Sequence, residues 1–406
     1  MHKIERLLQT LAPKGVEFRK LGEVINILKG KQLNKELLLD YGKYPVMNGG
    51  IYASGYWNEY NTDYPKIIIS QGGASAGYVN YMTSKFWAGA HCYAIELNSE
   101  KLNYKFLYYF LKNSQNILMK SQFGAGIPAL NKADIETLTI PIPPLEIQQE
   151  IVKILDAFTE LNTELNTELK ARKKQYQYYQ NMLLDFNDIN QNHKDAKMSV
   201  KTYPKRLKTL LQTLAPKGVE FRKLGEVCEI LDNRRIPIAK NKRNPGIYPY
   251  YGANGIQDYI DNYIFDGDFV LVGEDGSVIN KDNTPVVNWA SGKIWVNNHA
   301  HVLQTKNELK LKFLYFYLQT IDVSYCVAGT PPKINQENLK KITIPIPPLE
   351  IQQEIVKILD QFSLLTTDLL AGIPAEIKAR KKQYEYYREK LLTFKPLTPN
   401  KEVKKG

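Results

Sequence analysis

The chain has 406 residues, 43% of them hydrophobic and 24% charged, and a net charge of +12. Its length exceeds one ordinary domain and predicts two or three. No apolar run reaches the roughly 18 residues that a membrane-spanning helix needs, and the opening MHKIERLLQTLAPKG has neither the apolar core nor the cleavage site of a secretion signal. Cys92, Cys228 and Cys326 form no C-x-x-C pair, so neither a disulfide framework nor a zinc site is indicated and a reducing cytoplasm fits. The positive balance favours a polyanionic partner, nucleic acid before membrane.

In chain order, the string LLQTLAPKGVEFRKLGEV at 7–24 returns unchanged at 210–227. TIPIPPLEIQQEIVKILD at 139–156 returns at 343–360, and KARKKQY at 170–176 returns at 378–384. Two long copies of one unit make a tandem pseudo-dimer rather than a solenoid. Between the constant strings lie divergent segments, 25–138 and 228–342, on a thin shared skeleton. Tyr44-Pro45 matches Tyr248-Pro249, Trp87 and His91 match Trp295 and His299, KFLYYFL at 105–111 matches KFLYFYL at 312–318, and Leu130-Asn131 matches Ile334-Asn335. One fold is kept while its surface diverges, which suits two different ligands. Each divergent segment reads as mostly strand. KIIIS at 66–70 and FVLV at 269–272 are short apolar runs beside the turns at 71–77 and 273–277, and the KFLYYFL pair reads as a short amphipathic helix.

After Pro143-Pro144, a natural helix start, Ile147, Ile151, Ile154, Phe158, Leu161, Leu165 and Leu169 step by threes and fours into Tyr176, Tyr179 and Leu183. That is a heptad seam with one stutter. The second copy repeats it with Ile351, Ile355, Ile358, Phe362, Leu365, Leu369, Ile373 and Ile377, and carries Gly372 and Pro374, which predict a kink or interruption. A narrow seam needs a partner, and the chain must return after its second globule. The expected fold is therefore α+β: two strand-rich, mixed α/β globules separated by two long antiparallel coiled-coil helices about a pseudo-two-fold axis. The boundaries read as globules at 1–142 and 206–346, helices at 143–186 and 347–394, a linker at 187–205 and a basic tail at 395–406.

Enzyme signatures resolve into decoys. The glycines at 72, 73 and 77 miss G-x-G-x-x-G, Lys29-Gly30-Lys31 lacks P-loop spacing, and no D/N-P-P-Y/F string occurs. Glu274-Asp275 follows a strand, as nuclease carboxylates do, yet no lysine stands at E-x-K spacing. His91 and His299 lack a nucleophile partner and read as satisfied core histidines. Asp266, Asp268 and Glu274 read as a solvated turn, and no metal site is expected. DNA contacts need cations for phosphates and amide or guanidinium forks for bases. Lys29, Lys31, Gln32, Asn34 and Lys35 open one divergent segment, and Asn233, Arg234, Arg235, Lys240, Lys242 and Arg243 open the other. The loops at 71–75, with Gln71 and Ser75, and at 274–277, with Ser277, coincide, and so do the loops at 124–131, beside Lys132, and 329–335, with Thr330 and Lys333. The coincidence in both copies carries the DNA reading. A non-catalytic coiled-coil scaffold or adhesin would explain the helices without explaining these clusters.

The duplicated IPIPPLEIQQEIVKIL (140–155 and 344–359), the KLGEV lead-in and the helix end KKQY identify the resemblance: over nearly its whole length the chain is similar to the specificity (HsdS) subunits of type I restriction–modification enzymes. The LNTELNTE tetrapeptides at 161–168 resemble the spacer repeats of that family. The resemblance implies a non-catalytic, cytoplasmic DNA-specificity subunit with no membrane association. Its two target recognition domains would each read half of a bipartite, gapped site in double-stranded DNA. Its helices would set the spacing and dock two methylation subunits, with restriction (motor) subunits beyond. S-adenosylmethionine, ATP and Mg would belong to those partners, with no cofactor in this chain.

Overall fold

The computed structural model describes residues 2–124, 128–186, 203–276, 278–367 and 372–397. Ser277, Leu369, most of the expected linker and the tail beyond 397 lie outside the described residues. The chain divides into two units, Met1–Asn166 with Ile377–Gly406, and Thr167–Glu376.

The first unit opens with α1 (His2–Leu11), β1 (Glu17–Lys20), β2 (Ile25–Lys29), β3 (Tyr44–Met47), β4 (Gly55–Trp57), β5 (Lys66–Ser70) and β6 (Val79–Met82). It continues with β7 (Trp87–Ala88), β8 (Cys92–Leu97), α2 (Tyr104–Asn113), α3 (Gln115–Lys120), α4 (Lys132–Glu136) and β9 (Thr139–Ile142). The long helix α5 spans Leu145–Leu184, forty residues. β1 and β9 pair antiparallel, Glu17 opposite Ile142 and Lys20 opposite Thr139. The two constant strings thus close into one ladder, and the divergent segment rises from it as a single large loop. Within that loop β2, β8, β5 and β6 form an antiparallel sheet in that order, and β4, β3 and β7 form a second, with β7 parallel to β3. The KIIIS run is β5, the apolar centre of the first sheet, with Ile67 and Ile69 fully buried. The KFLYYFL helix is α2. Asn103 caps it, its side chain accepting from the amides of Lys105 and Phe106, an arrangement that stabilises a helix by about 1 kcal/mol.

The second unit carries α6 (Lys205–Leu214), β10 (Phe221–Lys223), the one-turn α7 (Leu224–Val227), β11 (Cys228–Ile230), β12 (Pro245–Gly252), β13 (Gly255–Ile260) and β14 (Phe265–Gly273). Then come β15 (Val287–Val296), β16 (Ala300–Thr305), α8 (Leu311–Leu318), α9 (Gln336–Lys341) and β17 (Thr343–Pro345). The second long helix is divided into α10 (Leu349–Thr367) and α11 (Ile373–Leu391). The β10–β17 ladder repeats β1–β9. The two sheets of the first unit merge here into one of six strands, ordered β11-β16-β14-β15-β12-β13. The cause is β15, which pairs with β14 along most of its length and then runs on, so that Trp295 and Val296 lie parallel to Tyr250 and Tyr251. In the first unit the same place is taken by the separate β7, where Trp87 and Ala88 face Val46 and Met47.

The long helices pair antiparallel inside each unit. In the first, Phe158 stacks on Tyr387 at 5.5 Å, and Leu391 and Leu392 join Ile147, Ile151 and Leu155 in one core. In the second, Tyr179 stacks on Phe362 at 5.1 Å, and Met182 and Leu183 join Ile351, Ile355 and Leu359. Ile154, Phe158, Leu161, Leu165, Leu169, Ile358 and Phe362 are half-buried, as a two-helix seam requires. Leu155 and Leu359, one residue off the expected seam, are fully buried, because the start of each helix packs against its globule as well. Leu365 departs from expectation. It is 38% exposed while its neighbour Thr366 is 1% exposed, so the seam shifts by a residue at the end of α10. The expected kink is a stop and restart. Pro374 sits in the first turn of α11, where a missing N–H costs nothing, and the Gly372 carbonyl accepts from the amides of Ala375 and Glu376.

One polar residue of the constant string is fully buried in each unit. Gln148 donates from Nε2 to the carbonyls of Lys101 (2.8 Å) and Pro143 (2.6 Å) and accepts at Oε1 from the Asn103 amide (2.7 Å). Gln352 repeats this with the Glu308 and Pro347 carbonyls and the Lys310 amide. A buried amide with both ends satisfied fixes orientation where apolar contact alone would allow sliding.

Candidate nucleic-acid interface

In each unit the divergent loops meet on a frame of backbone hydrogen bonds. In the first, the Lys31 amide donates to Ala88 O (2.8 Å) and the Trp87 indole Nε1 donates to Lys31 O (3.1 Å). In the second, the Ile236 amide donates to Val296 O and the Trp295 indole to Ile236 O (2.6 Å). The repeated tryptophan therefore pins the basic loop in both. A second set ties the strand-end turn. Gln71 N reaches His91 O, Leu130 N reaches Gln71 O, and Gly73 N reaches Pro128 O at 2.8–2.9 Å. Glu274 N, Ile334 N and Gly276 N make the matching bonds to His299 O, Glu274 O and Pro332 O at 2.9–3.0 Å. Gly73 and Gly276 share φ +79°, a conformation that glycine adopts without the Cβ penalty. Because the frame is main chain apart from the two retained indoles, the other side chains it carries can change without loss of fold.

Those side chains do change. Lys29, Lys31, Gln32, Asn34 and Lys35 are exposed on the first unit, with Asn34 capping the short turn that starts at Lys35. Gln71 is half-buried with its Oε1 unpartnered, and Ser75 donates to Gly49 O at 2.7 Å. Lys132 is exposed on α4 and pairs with Glu136 at 3.3 Å. On the second unit Asn233, Arg234, Lys240, Lys242 and Thr330 are exposed. Arg234 lies over the Phe265 ring. Lys333 is exposed and bonds Glu274 at 3.0 Å.

Two arginines of the expected cluster are held by partners within the fold. Arg243 lies over the Tyr250 ring, donates to Ile238 O and faces Asp258. Arg235, 11% exposed, bonds Glu274 (2.6 Å), Ala300 O (2.8 Å) and Asp232. Arg235 belongs to a charged knot that composition could not disclose. His301 is fully buried, with Nδ1 2.6 Å from Asp232 and Nε2 2.8 Å from Ile334 O. In the first unit Tyr93 reaches the equivalent Leu130 carbonyl through its hydroxyl. Burial pushes the Asp232 carboxyl up, but the hydrogen bond and charge of His301, with Arg235 and the Val302 amide, outweigh it and hold the group below the usual carboxylate range. Asp232, Glu274 and His301 have ligand atoms within 4.8 Å of one another. Arg235 and Lys333 bond the same carboxylates, so side chains neutralise the cluster.

Glu274 is not a solvated turn residue, since its carboxylate is largely buried between cations. His91 and His299 are not core residues but exposed; among the described residues the buried histidine is His301. As for nucleophiles, burial pushes the thiols of Cys92 and Cys228 up to about 12, which leaves them inert at neutral pH. No described helix is long and apolar enough to cross a membrane.

Two globules with one backbone frame, different side chains on it and cations at its rim define a two-headed recognition protein built by duplication. The family model of the type I restriction modification DNA specificity domain matches twice, at residues 13–175 and 216–379, and the chain belongs to that family. A Haemophilus influenzae protein assigned as a type I restriction enzyme specificity subunit is 43% identical over 193 residues, 46% of this chain and 49% of that relative, so this match spans about half of its length. The specificity subunit of the type I restriction enzyme EcoR124I/EcoR124II of Escherichia coli is 28% identical over 98% of both chains. The crystal structure of the type I restriction–modification S subunit of M. genitalium has the same fold, with a TM-score of 0.62 at 21% identity over 93% of this chain and 96% of that one.

Proposed function

We propose that this chain is the DNA sequence-specificity subunit of a type I restriction–modification complex, each globule reading one half of a bipartite, gapped site. The observation that carries the reading is the shared frame with unlike side chains: Gln71 stands where Glu274 does, Gly72 where Asp275 does, Tyr93 where His301 does. Exposed Lys29, Lys31 and Lys35 on one unit and Lys240 and Lys242 on the other supply phosphate contacts.

The constant strings support a second role, docking of two copies of one partner. Leu11 and Leu214, Leu145 and Leu349, and Tyr178 and Tyr386 are identical between copies and exposed, the tyrosines at 62% and 58%. Packing does not explain exposed apolar residues held identical across a duplication, whereas two methylation subunits do. S-adenosylmethionine chemistry would reside in those subunits, and ATP- and Mg-dependent translocation and cleavage in restriction subunits, leaving this chain to recognise and not to react.

The test is co-purification with a candidate methylation subunit, followed by methylation-site sequencing of DNA exposed to the complex. A gapped, adenine-methylated bipartite motif is expected, and exchanging residues 25–138 is expected to change one half-site only. No complex, together with DNA binding that is indifferent to salt, would return the chain to the scaffold reading.

A further inference from the structure

The duplication contains its own control experiment. A surface residue that differs between the copies can read what differs between the half-sites; one that stays can touch only what the half-sites share. His91 and His299 are one retained, exposed pair; Asn131 and Asn335, also retained and exposed, are accounted for as helix caps. Both histidines are exposed, the His299 side chain at 47%, so packing does not account for their retention. Both are also held at the backbone on either side. Their carbonyls accept from Gln71 and Glu274. Their amides donate to an asparagine Oδ1, but to unlike asparagines: Asn48, just after β3, at 3.2 Å in the first unit, and Asn297, just after β15, at 2.8 Å in the second. Two non-equivalent residues have come to anchor one position. The immediate surroundings differ: Asp275 faces the His299 ring at Nδ1, while Gly72 lies against the His91 ring.

Apart from the adenine that each methylation subunit would take, what two unlike half-sites share is the sugar–phosphate backbone. We infer that His91 and His299 are DNA-positioning residues, each donating a ring N–H to a phosphate oxygen at the same place in its half-site, while the variable side chains beside them read the bases. The inference rests on the specificity reading above. In the second unit the ring, carrying both protons in the bound complex, gives Nδ1–H to Asp275 and Nε2–H to the phosphate; in the first, Gly72 sets no side chain beside the His91 ring.

The complex with its methylation subunit is prepared as wild type and as His91→Ala, His299→Ala, His91→Arg and His299→Arg. Binding is measured to a duplex bearing the wild-type motif and to a random-sequence duplex, with melting temperature as the folding control. Each alanine variant is expected to lose affinity roughly tenfold for both duplexes alike and to methylate an unchanged motif, and arginine, which keeps N–H donors, to restore most of the loss. Unchanged affinity, loss confined to the cognate duplex, an altered half-site, or failure of complex assembly with DNA binding intact would each overturn it. If the arginine variants melt as wild type but bind no better than alanine, the phosphate contact is also excluded. A wild-type complex that methylates no gapped site removes the functional reading and this inference together; a working wild type with unaffected variants removes only the inference.

Discussion

Gln148 and Gln149 are neighbours in the constant string and opposites in structure. Gln148 is buried with three hydrogen bonds, Gln149 exposed. Gln148→Ala would orphan the Asn103 amide and the carbonyls of Lys101 and Pro143, at a cost of about 2–4 kcal/mol. Gln149→Ala is expected to change stability by no more than about 0.5 kcal/mol. Urea unfolding of the two variants checks this directly; equal midpoints would show that the buried amide is dispensable. Lys112 gives a pH signature. Its ammonium donates to Val79 O and Gln115 Oε1, and burial, with Arg388 adding like charge, lowers it from 10.5 to about 8. Between those values the folded chain sheds its proton before the unfolded chain does. The lysine's contribution to stability therefore rises as pH climbs through that window and is at its least favourable below it. The second copy has Gln319 at this position of the KFLYYFL helix. In Lys112→Gln the rise should vanish, so the difference between variant and wild-type midpoints should shift toward wild type at high pH. A difference independent of pH would contradict the account.

At the scale of elements, the long helices were legible because a three-and-four spacing survives any change of neighbour. Their partners were legible as well, since a narrow seam demands one. What spacing could not reveal was the width of the stripe: Leu155 and Leu359 are buried because a globule packs there. Nor could it reveal the slip that exposes Leu365 and buries Thr366 ahead of the restart at Ile373. The tetrapeptides at 161–168 lie inside the unbroken α5. Deleting 161–164 removes about 6 Å of rise and slightly more than one turn. With α5 acting as the spacer, methylation-site sequencing is expected to find a changed gap and unchanged half-sites; altered half-sites with the old gap would show that α5 does not measure the distance.

Over the whole molecule, duplication made the architecture readable. Identical strings marked the ladders β1–β9 and β10–β17, and the thin skeleton marked Trp87 and Trp295, which pin the loops. The interface was only partly readable, for a physical reason. Exposed lysines are recognisable by type, but whether an arginine faces solvent or a carboxylate depends on residues distant in sequence. Arg235 meets Glu274 thirty-nine positions away, and His301 meets Asp232 sixty-nine away. A single histidine carries no sign of its burial, so His91, His299 and His301 could not be sorted before the fold was known.

The first unit takes its residues from both ends of the chain, Met1–Asn166 and Ile377–Gly406, whereas the second is one continuous stretch, Thr167–Glu376. Phe394 packs against Phe106, and Val16 exchanges backbone hydrogen bonds with Lys395 and Leu397. During translation the head that emerges first is thus the one completed last. At about 5–20 residues per second, the ribosome takes on the order of ten to forty seconds to pass through the intervening second unit. Throughout that interval Ile147, Ile151 and Leu155 await the returning Leu391 and Leu392, and the nascent chain must keep this apolar stripe from other partners until its own last helix arrives.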